Sequence, residues 1–271
     1  MRLIVASRRD TAGVNIAQQI LKHYEFSELP EGFRGESVYS GTARGQEVRL
    51  TFVGEEPVHT QYLNDLPRPQ LIVFVSRHSS TSGIPTLSVH TPGNLGEARL
   101  GGVPGRVSVS PASAMKRALM KLAEMKAEMG LDYTVSYEAT HHGPSLDAPT
   151  MFVELGSSSE QWKDLRAAEA VAHAAMAALS EGSTYPAALG VGGPHYNAKF
   201  TRVALTAQTA LGHMIPKYAI PGVDAETVRQ CLERTEERVE SILLDWKGIM
   251  GAERERLVAV LAKTGLPVKR I

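Results

Sequence analysis

The chain has 271 residues, 43 % of them hydrophobic, enough to bury a full core as one large domain or two small ones. Its 29 basic and 29 acidic residues cancel, so no global positive field marks a broad nucleic-acid binder, and any basic patch has to be local. One cysteine, Cys231, excludes an intramolecular disulfide and fits a reducing compartment; no stretch nears the roughly 20 apolar residues of a membrane span, so the sequence reads as cytoplasmic and soluble.

In chain order, Leu3 to Ser7 reads as a buried first strand and Thr11 to Tyr24 as a helix carrying Val14, Ile16, Ile20 and Leu21. Arg8, Arg9 and Asp10 between them read as a solvated turn, a place where phosphate contacts also collect. Glu47 to Val53 alternates as a half-exposed strand. Leu71 to Ser76 is an apolar run ending in Arg77-His78-Ser79-Ser80, and Pro85 to Val89 runs into His90-Thr91-Pro92-Gly93-Asn94. The glycine-rich stretch that follows, as far as Val109, has no period and reads as a long loop. Pro111 to Met129 is a helix with Ser110 as N-cap, Pro111 at its first position and Gly130 past its end. Its stripe of Met115, Leu119, Leu122, Met125 and Met129 is core, and its Lys116, Arg117 and Lys121 face is solvated.

The run Thr150-Met-Phe-Val-Glu-Leu155 has the composition of a strand buried on both faces, and Glu154 breaks that pattern. A carboxylate there costs several kcal/mol unless a metal, a cation or hydrogen-bond donors hold it. Upstream, Asp132 to Glu138 reads as a strand leading into Thr140-His141-His142-Gly143-Pro144, and adjacency of these two strands would let the histidine pair and Glu154 share a site. Downstream, Ser157 with Glu160 fits a capping box that opens a helix over Trp162 to Leu179, a strand-turn-helix geometry of the kind that binds ligands at strand ends. Pro186 to Val191 is a short strand ending in Gly192-Gly193-Pro194-His195-Tyr196, Asn197 to Leu205 a short helix, and Thr209 to Ile215 a strand containing His213. Asp224 to Trp246 has the spacing of a long amphipathic helix, with Cys231 in its apolar stripe, and Glu253 to Lys263 that of a shorter one. The chain is therefore expected to be a single α/β catalytic domain over residues 1–271, with 222–271 as a C-terminal helical segment packed on it.

Six of the nine histidines, His78, His90, His141, His142, His195 and His213, fall in or after strands, mostly in turns with glycine or proline. Imidazole is the commonest metal ligand and the usual acid or base near neutral pH, so this clustering points to chemistry. His23, His59 and His173, the last paired with Glu169 one turn back, sit in polar settings and receive no function. Neither HExxH nor paired-cysteine spacing is present, so the ligands of any metal have to converge through the fold. Without GxSxG, GxGxxG after a strand or GxxxxGK[ST], the usual serine-hydrolase, dinucleotide and P-loop readings fall away. What remains is hydrolysis or group transfer by a water that His and Glu side chains activate, directly or through a metal.

The blocks HTPGN at 90–94, EATHHGP at 138–144, FVELGSS at 152–158, GGPHY at 192–196, KFT at 199–201 and GHMIPKY at 212–218 together resemble the archaeal and plant type of D-aminoacyl-tRNA deacylase, from the first strand to about residue 220. The resemblance implies hydrolysis of the ester between a D-amino acid and tRNA, a monomer, zinc dependence, and a phosphorylase/hydrolase-like three-layer α/β/α fold with a mixed sheet. It also implies a zinc ion held by a subset of His141, His142, Glu154, His195 and His213, with His141, His142 and Glu154 in catalysis. Lys199 and Lys217, with the backbone of Ser157 and Ser158, would meet the tRNA acceptor end, and His78 and His90 would also touch substrate. A metallo-exopeptidase-like or nucleoside-processing hydrolase is the alternative enzyme. A tRNA-binding module with structural histidines is the alternative of another class.

Overall fold

The computed structural model describes residues 1–271 apart from the surroundings of Gly248. The first half runs β1 (Arg2–Ser7), α1 (Thr11–His23), β2 (Phe26–Glu28), β3 (Val38–Ala43), β4 (Gln46–Val53), β5 (Leu71–Arg77), β6 (Thr86–His90) and α2 (Ala112–Met129). The second runs β7 (Thr134–Tyr137), β8 (Thr150–Gly156), α3 (Leu165–Leu179), β9 (Ala187–Gly192), α4 (Ala198–Thr206), β10 (Ala210–Ile215), α5 (Ala225–Glu233), β11 (Val239–Asp245), α6 (Gly251–Ala262) and β12 (Val268–Arg270). This is the expected α/β class, with a mixed sheet flanked by helices. The strands divide into an eight-stranded sheet, ordered β2-β3-β4-β1-β5-β8-β6-β7, and a four-stranded one, ordered β10-β9-β11-β12. In the large sheet β1, β4, β5 and β8 run parallel, β6 runs antiparallel to β8, and β7 follows β6.

The two-residue period of a strand sorts the large sheet's side chains between its faces. Ile4, Val73, Val75, Met151, Val153, Leu155, Leu87 and Val89 join Ile16 and Ile20 of α1, Met115, Leu119 and Leu122 of α2 and the alanines of α3 in one core. On the opposite face Leu3, Val5, Ile72, Phe74 and Phe152 are covered by Leu63, Leu146 and Ala148, which come from connecting segments rather than α-helices. Two residues beyond Phe74 and Phe152 that second face turns polar: Ser76 stands beside Glu154, with Ser88 and His90 on β6 in register with Glu154 and Phe152. Glu154 is therefore an interior residue of a strand buried on both sides, aimed at the face that is covered by connecting segments rather than α-helices.

Several expectations change. The spacing of Val239, Ile242 and Leu243 also suits a helix, but these residues lie on β11, paired on both edges by β9 and β12, so the apolar run reflects burial on both faces. The helix expected over Asp224 to Trp246 ends with α5, and the 222–271 stretch contributes two strands to the smaller sheet. β7 and β8 are not neighbours, because β6 lies between them. Ser110 does not cap α2: the Glu237 carboxylate accepts the Ala112 and Ser113 N–H groups instead. The Ser157–Glu160 capping box does not form either. Ser157 donates to the Ile84 carbonyl, Ser158 pairs with Gln161, and α3 is capped by Asp164, whose carboxylate accepts from Arg166 and Ala167 N–H.

Lys116 does not lie on a solvated face. It is buried, and its ammonium donates to the carbonyls of Ala204, Ala207 and Thr209, closing the end of α4 against α2. Lys116→Met would leave these carbonyls without a donor, each a lost charge-assisted bond. It is expected to lower stability by about 2 kcal/mol, read from the urea unfolding midpoint; an unchanged midpoint would mean that the ammonium contributes nothing net.

Candidate active site

The polar end of this second sheet face is closed by three loops. The segment after β7 carries Glu138, His141 and His142; the Gly93 N–H bonds the carbonyls of His141 and His142, tying this segment to the one after β6. The loop after β9 carries His195, held where the Ala139 N–H donates to the His195 carbonyl. His142 adopts φ 43°, in the left-handed region that a non-glycine residue occupies only where its surroundings enforce it. Gly143 permits that turn to sit directly on another loop, since a Cβ there would meet Gly102 N at 2.2 Å. His78, at the end of β5, completes the ring of side chains around a cavity of about 560 Å³ lined by His78, Glu138, His141, His142, Glu154 and His195. A second cavity of about 580 Å³ opens on the other side of the histidine pair, lined by Asn94, Leu100, Thr140 and Tyr218.

Charge is compensated pairwise inside the cluster. Glu154 accepts from the Ser76 hydroxyl at 2.6 Å, and its other oxygen lies 3.8 Å from His78 Nδ1 and 3.9 Å from His90 Nδ1. Glu138, at 1 % exposure, stands 3.1 Å from His78 Nδ1, at ion-pair distance without hydrogen-bond alignment, and 3.0 Å from His195 Nε2. Burial opposes a charge on His78, but the two carboxylates beside it outweigh burial and push its pKa up to about 10. Glu138 pays for its burial and is still held well below the usual carboxylate range by His195 and His78. Glu154 goes the other way: burial, reinforced by the Glu138 charge, pushes it up to about 7.

Three further imidazoles are held in the neutral form. Burial drives His90 and His141 well below the usual range and His142 down to about 4. His141 Nδ1 lies 2.8 Å from the Ala139 carbonyl and His142 Nδ1 2.7 Å from the Gly143 carbonyl; a carbonyl only accepts, so each ring carries its proton on Nδ1 and presents a bare Nε2 inward. Backbone-oriented imidazoles of this kind are the usual form of metal-binding histidines. His90 Nε2 and His142 Nε2 are 3.2 Å apart, close to the roughly 3.3 Å that separates two nitrogens bound at 2.0–2.1 Å to a tetrahedral ion, while His90 Nδ1 is buried with no hydrogen-bond partner. Donor atoms of His90, His141 and His142 lie within 4.8 Å of one another, as do those of Glu138, His141 and His195 and of His78, Glu138 and Glu154. The residues present fit a divalent metal.

Of the residues singled out in the sequence, His141, His142, His195, Glu154 and His78 line one cavity, and His90 is buried behind the histidine pair. His213 is not among them: it is fully buried, its Nδ1 3.2 Å from the Thr140 hydroxyl and its Nε2 3.2 Å from the Arg234 carbonyl, so it braces the residue before the histidine pair. Lys199 is bound by Asp245 at 2.6 Å and by the Ile271 carbonyl, and Ser157 and Ser158 are engaged by Ile84 and Gln161, away from the cavity lining. Lys217 is exposed beside Tyr218. The residue that the sequence reading leaves out is Glu138; its signal was its place at the end of a strand, three residues before His141.

A family model described as D-aminoacyl-tRNA deacylase matches residues 66–269. The chain belongs to the D-aminoacyl-tRNA deacylase family. It is 38 % identical over 273 residues to the D-aminoacyl-tRNA deacylase of Pyrococcus furiosus, covering 98 % of both chains. The Methanosarcina acetivorans D-aminoacyl-tRNA deacylase is 35 % identical over 276 residues, 98 % of this chain and 90 % of its own length. A crystal structure of AF0625, a conserved protein of unknown function, superposes with a TM-score of 0.89 at 31 % identity, covering 100 % of this chain and 95 % of that one. This D-aminoacyl-tRNA deacylase family member thus keeps its histidines and acids in one cluster on a fold shared along its whole length.

His213 offers a pH test of the fold around the site. Burial lowers its pKa to about 4 from the ordinary 6.5, so the folded chain resists its protonation more than the unfolded one. Stability from the neutral ring is present above pH 6.5 and lost as pH falls toward 4, on the order of 3 kcal/mol in all. His213→Asn is expected to flatten the stability profile between pH 7 and 4.5 in urea titrations; a profile parallel to that of the original chain would show that His213 does not titrate with folding.

Proposed function

We propose that the chain hydrolyses the ester bond of D-aminoacyl-tRNA, releasing a free D-amino acid and tRNA, and so removes D-amino acids from translation in the cytoplasm. Membership of the deacylase family supports the reaction. The observation that carries the site is one cavity holding a buried acid poised near neutrality, a second acid kept ionised, and two neutral imidazoles, with the neutral His90 buried against them. Among the described residues no helix is long and apolar enough to cross a membrane.

His90, His141 and His142, with Glu138 and His195 alongside, would hold zinc. Zinc bound there supplies Lewis acidity toward an ester carbonyl and toward water. Glu154 takes a proton from the attacking water at its free oxygen as the new C–O bond forms, then returns it to the ribose oxygen as the ester C–O bond breaks; a pKa of about 7 suits both transfers. The His78 imidazolium, against Glu138, keeps a positive charge beside the developing oxyanion. Arg77, on the cavity wall, and the exposed Lys217 are suited to the phosphates of the acceptor end, and zero net charge fits a small footprint on the tRNA.

The deciding measurement incubates the chain with D-Tyr-tRNA and with L-Tyr-tRNA, with and without a chelator. Selective cleavage of the D form, lost on chelation, is expected; equal cleavage of both would reject the chirality claim, and indifference to the chelator the metal. Glu154→Gln is expected to lower kcat by about 10²–10⁴-fold with thermal stability retained, the range for loss of a general acid–base group.

A further inference from the structure

Away from the cavity, on the helix-covered face of the large sheet, a second group of metal-ligating side chains forms where α1 ends against α3. His23 is the last residue of α1, and Glu169 and His173 lie one turn apart on α3, so two packed helices supply all three. His23 Nε2 is 3.6 Å from Glu169 Oε2, His173 Nε2 is 3.9 Å from Glu169 Oε1, and one donor atom of each lies within 4.8 Å of the other two. The rings of His23 and His173 meet edge to face at 5.5 Å between centroids.

A second contact orients the group. The Tyr24 hydroxyl lies 2.7 Å from His173 Nδ1, and as acceptor of the Nδ1 proton it leaves the lone pair on Nε2, the nitrogen turned toward Glu169. This is the arrangement in which metal-binding histidines are held by a neighbour on their other nitrogen. Burial pulls the His173 pKa down, favouring the neutral ring. The nearby Lys121 charge opposes a cation, and Glu124, 2.6 Å from the Lys121 ammonium, offsets it. Donors bound at 2.0–2.1 Å to a tetrahedral ion stand roughly 3.3 Å apart, so closing on one draws together donor atoms that stand within 4.8 Å of one another without it. The three side chains are each about a quarter exposed, which leaves an approach from solvent.

We propose that His23, Glu169 and His173 form a surface metal site for a divalent first-row ion such as zinc, with a remaining position open to water, separate from the histidine cluster on the other face of the sheet. Bound there, the ion joins the end of α1 to α3. The site does not depend on the deacylase reading.

The test strips the full-length chain with a chelator, dialyses it against zinc and counts ions per chain by elemental analysis. His23→Asn/His173→Asn and, separately, Glu169→Gln are compared with the original chain, and their melting temperatures in chelator confirm folding. The double variant is expected to bind one zinc fewer per chain, and Glu169→Gln to bind that zinc at least tenfold more weakly, with deacylation of D-Tyr-tRNA unchanged in both. Equal zinc content and affinity in all three chains would overturn the site. The readout is a difference between chains, so it stands whatever number of ions the histidine cluster takes and whether or not the chain cleaves tRNA.

Discussion

The constraint on which the site depends is that two carboxylates are buried close together with one imidazole between them. Glu138 and Glu154 cannot both remain ionised in that setting at low cost, and His78 resolves the conflict unequally. Glu138, in contact with both His78 and His195, keeps its charge; Glu154, with the more distant contact and a hydroxyl donor, is left near the midpoint of its titration. Two acids of the same kind thereby take different roles, because Glu138 has His195 as well as the nearer approach to His78 and Glu154 has neither.

That arrangement follows from how the large sheet is built. Helices seal one face, and the other is apolar only as far as Phe74 and Phe152, which stack at 4.6 Å. His90 stacks on Phe152 at 5.0 Å, so the boundary between core and polar cluster falls within a single layer of side chains. The smaller sheet contributes the loop that carries His195, and β10 places His213 beneath Thr140 as a brace for the turn above.

Much of this could be read from the residues. β5, β6 and β7 are visible as strands running into histidines, and β8 as an apolar run in which Glu154 stands out because its neighbours in the strand are all apolar. What could not be read was which face each residue joins and which strand lies between which. The insertion of β6 between β8 and β7 is a tertiary fact with no local signal, and it sets Ser88 and His90 between Glu154 and the segment that carries the histidine pair. The short β2, β3 and β12 lacked a strong pattern, and β11 was misread because a doubly buried strand and a helix stripe share spacings over a few residues. Lys199 and His213 occupy motif blocks as the other candidates do, but their partners, Asp245 and the Arg234 carbonyl, lie far along the chain. Spacing carries no information about such partners.

The contact of Gly143 with Gly101 and Gly102 has a further bearing. Two main-chain segments without side chains lie against each other there, with no room for a methyl group on Gly143 or Gly102. The histidine pair and Leu100, which line both cavities, form the partition between them, and the glycine contact fixes the turn on which that partition stands. Divergence in what the cavities accept has to arise at their rims, where Leu100 and Tyr218 project into solvent and can be replaced without disturbing the turn that holds the histidine pair.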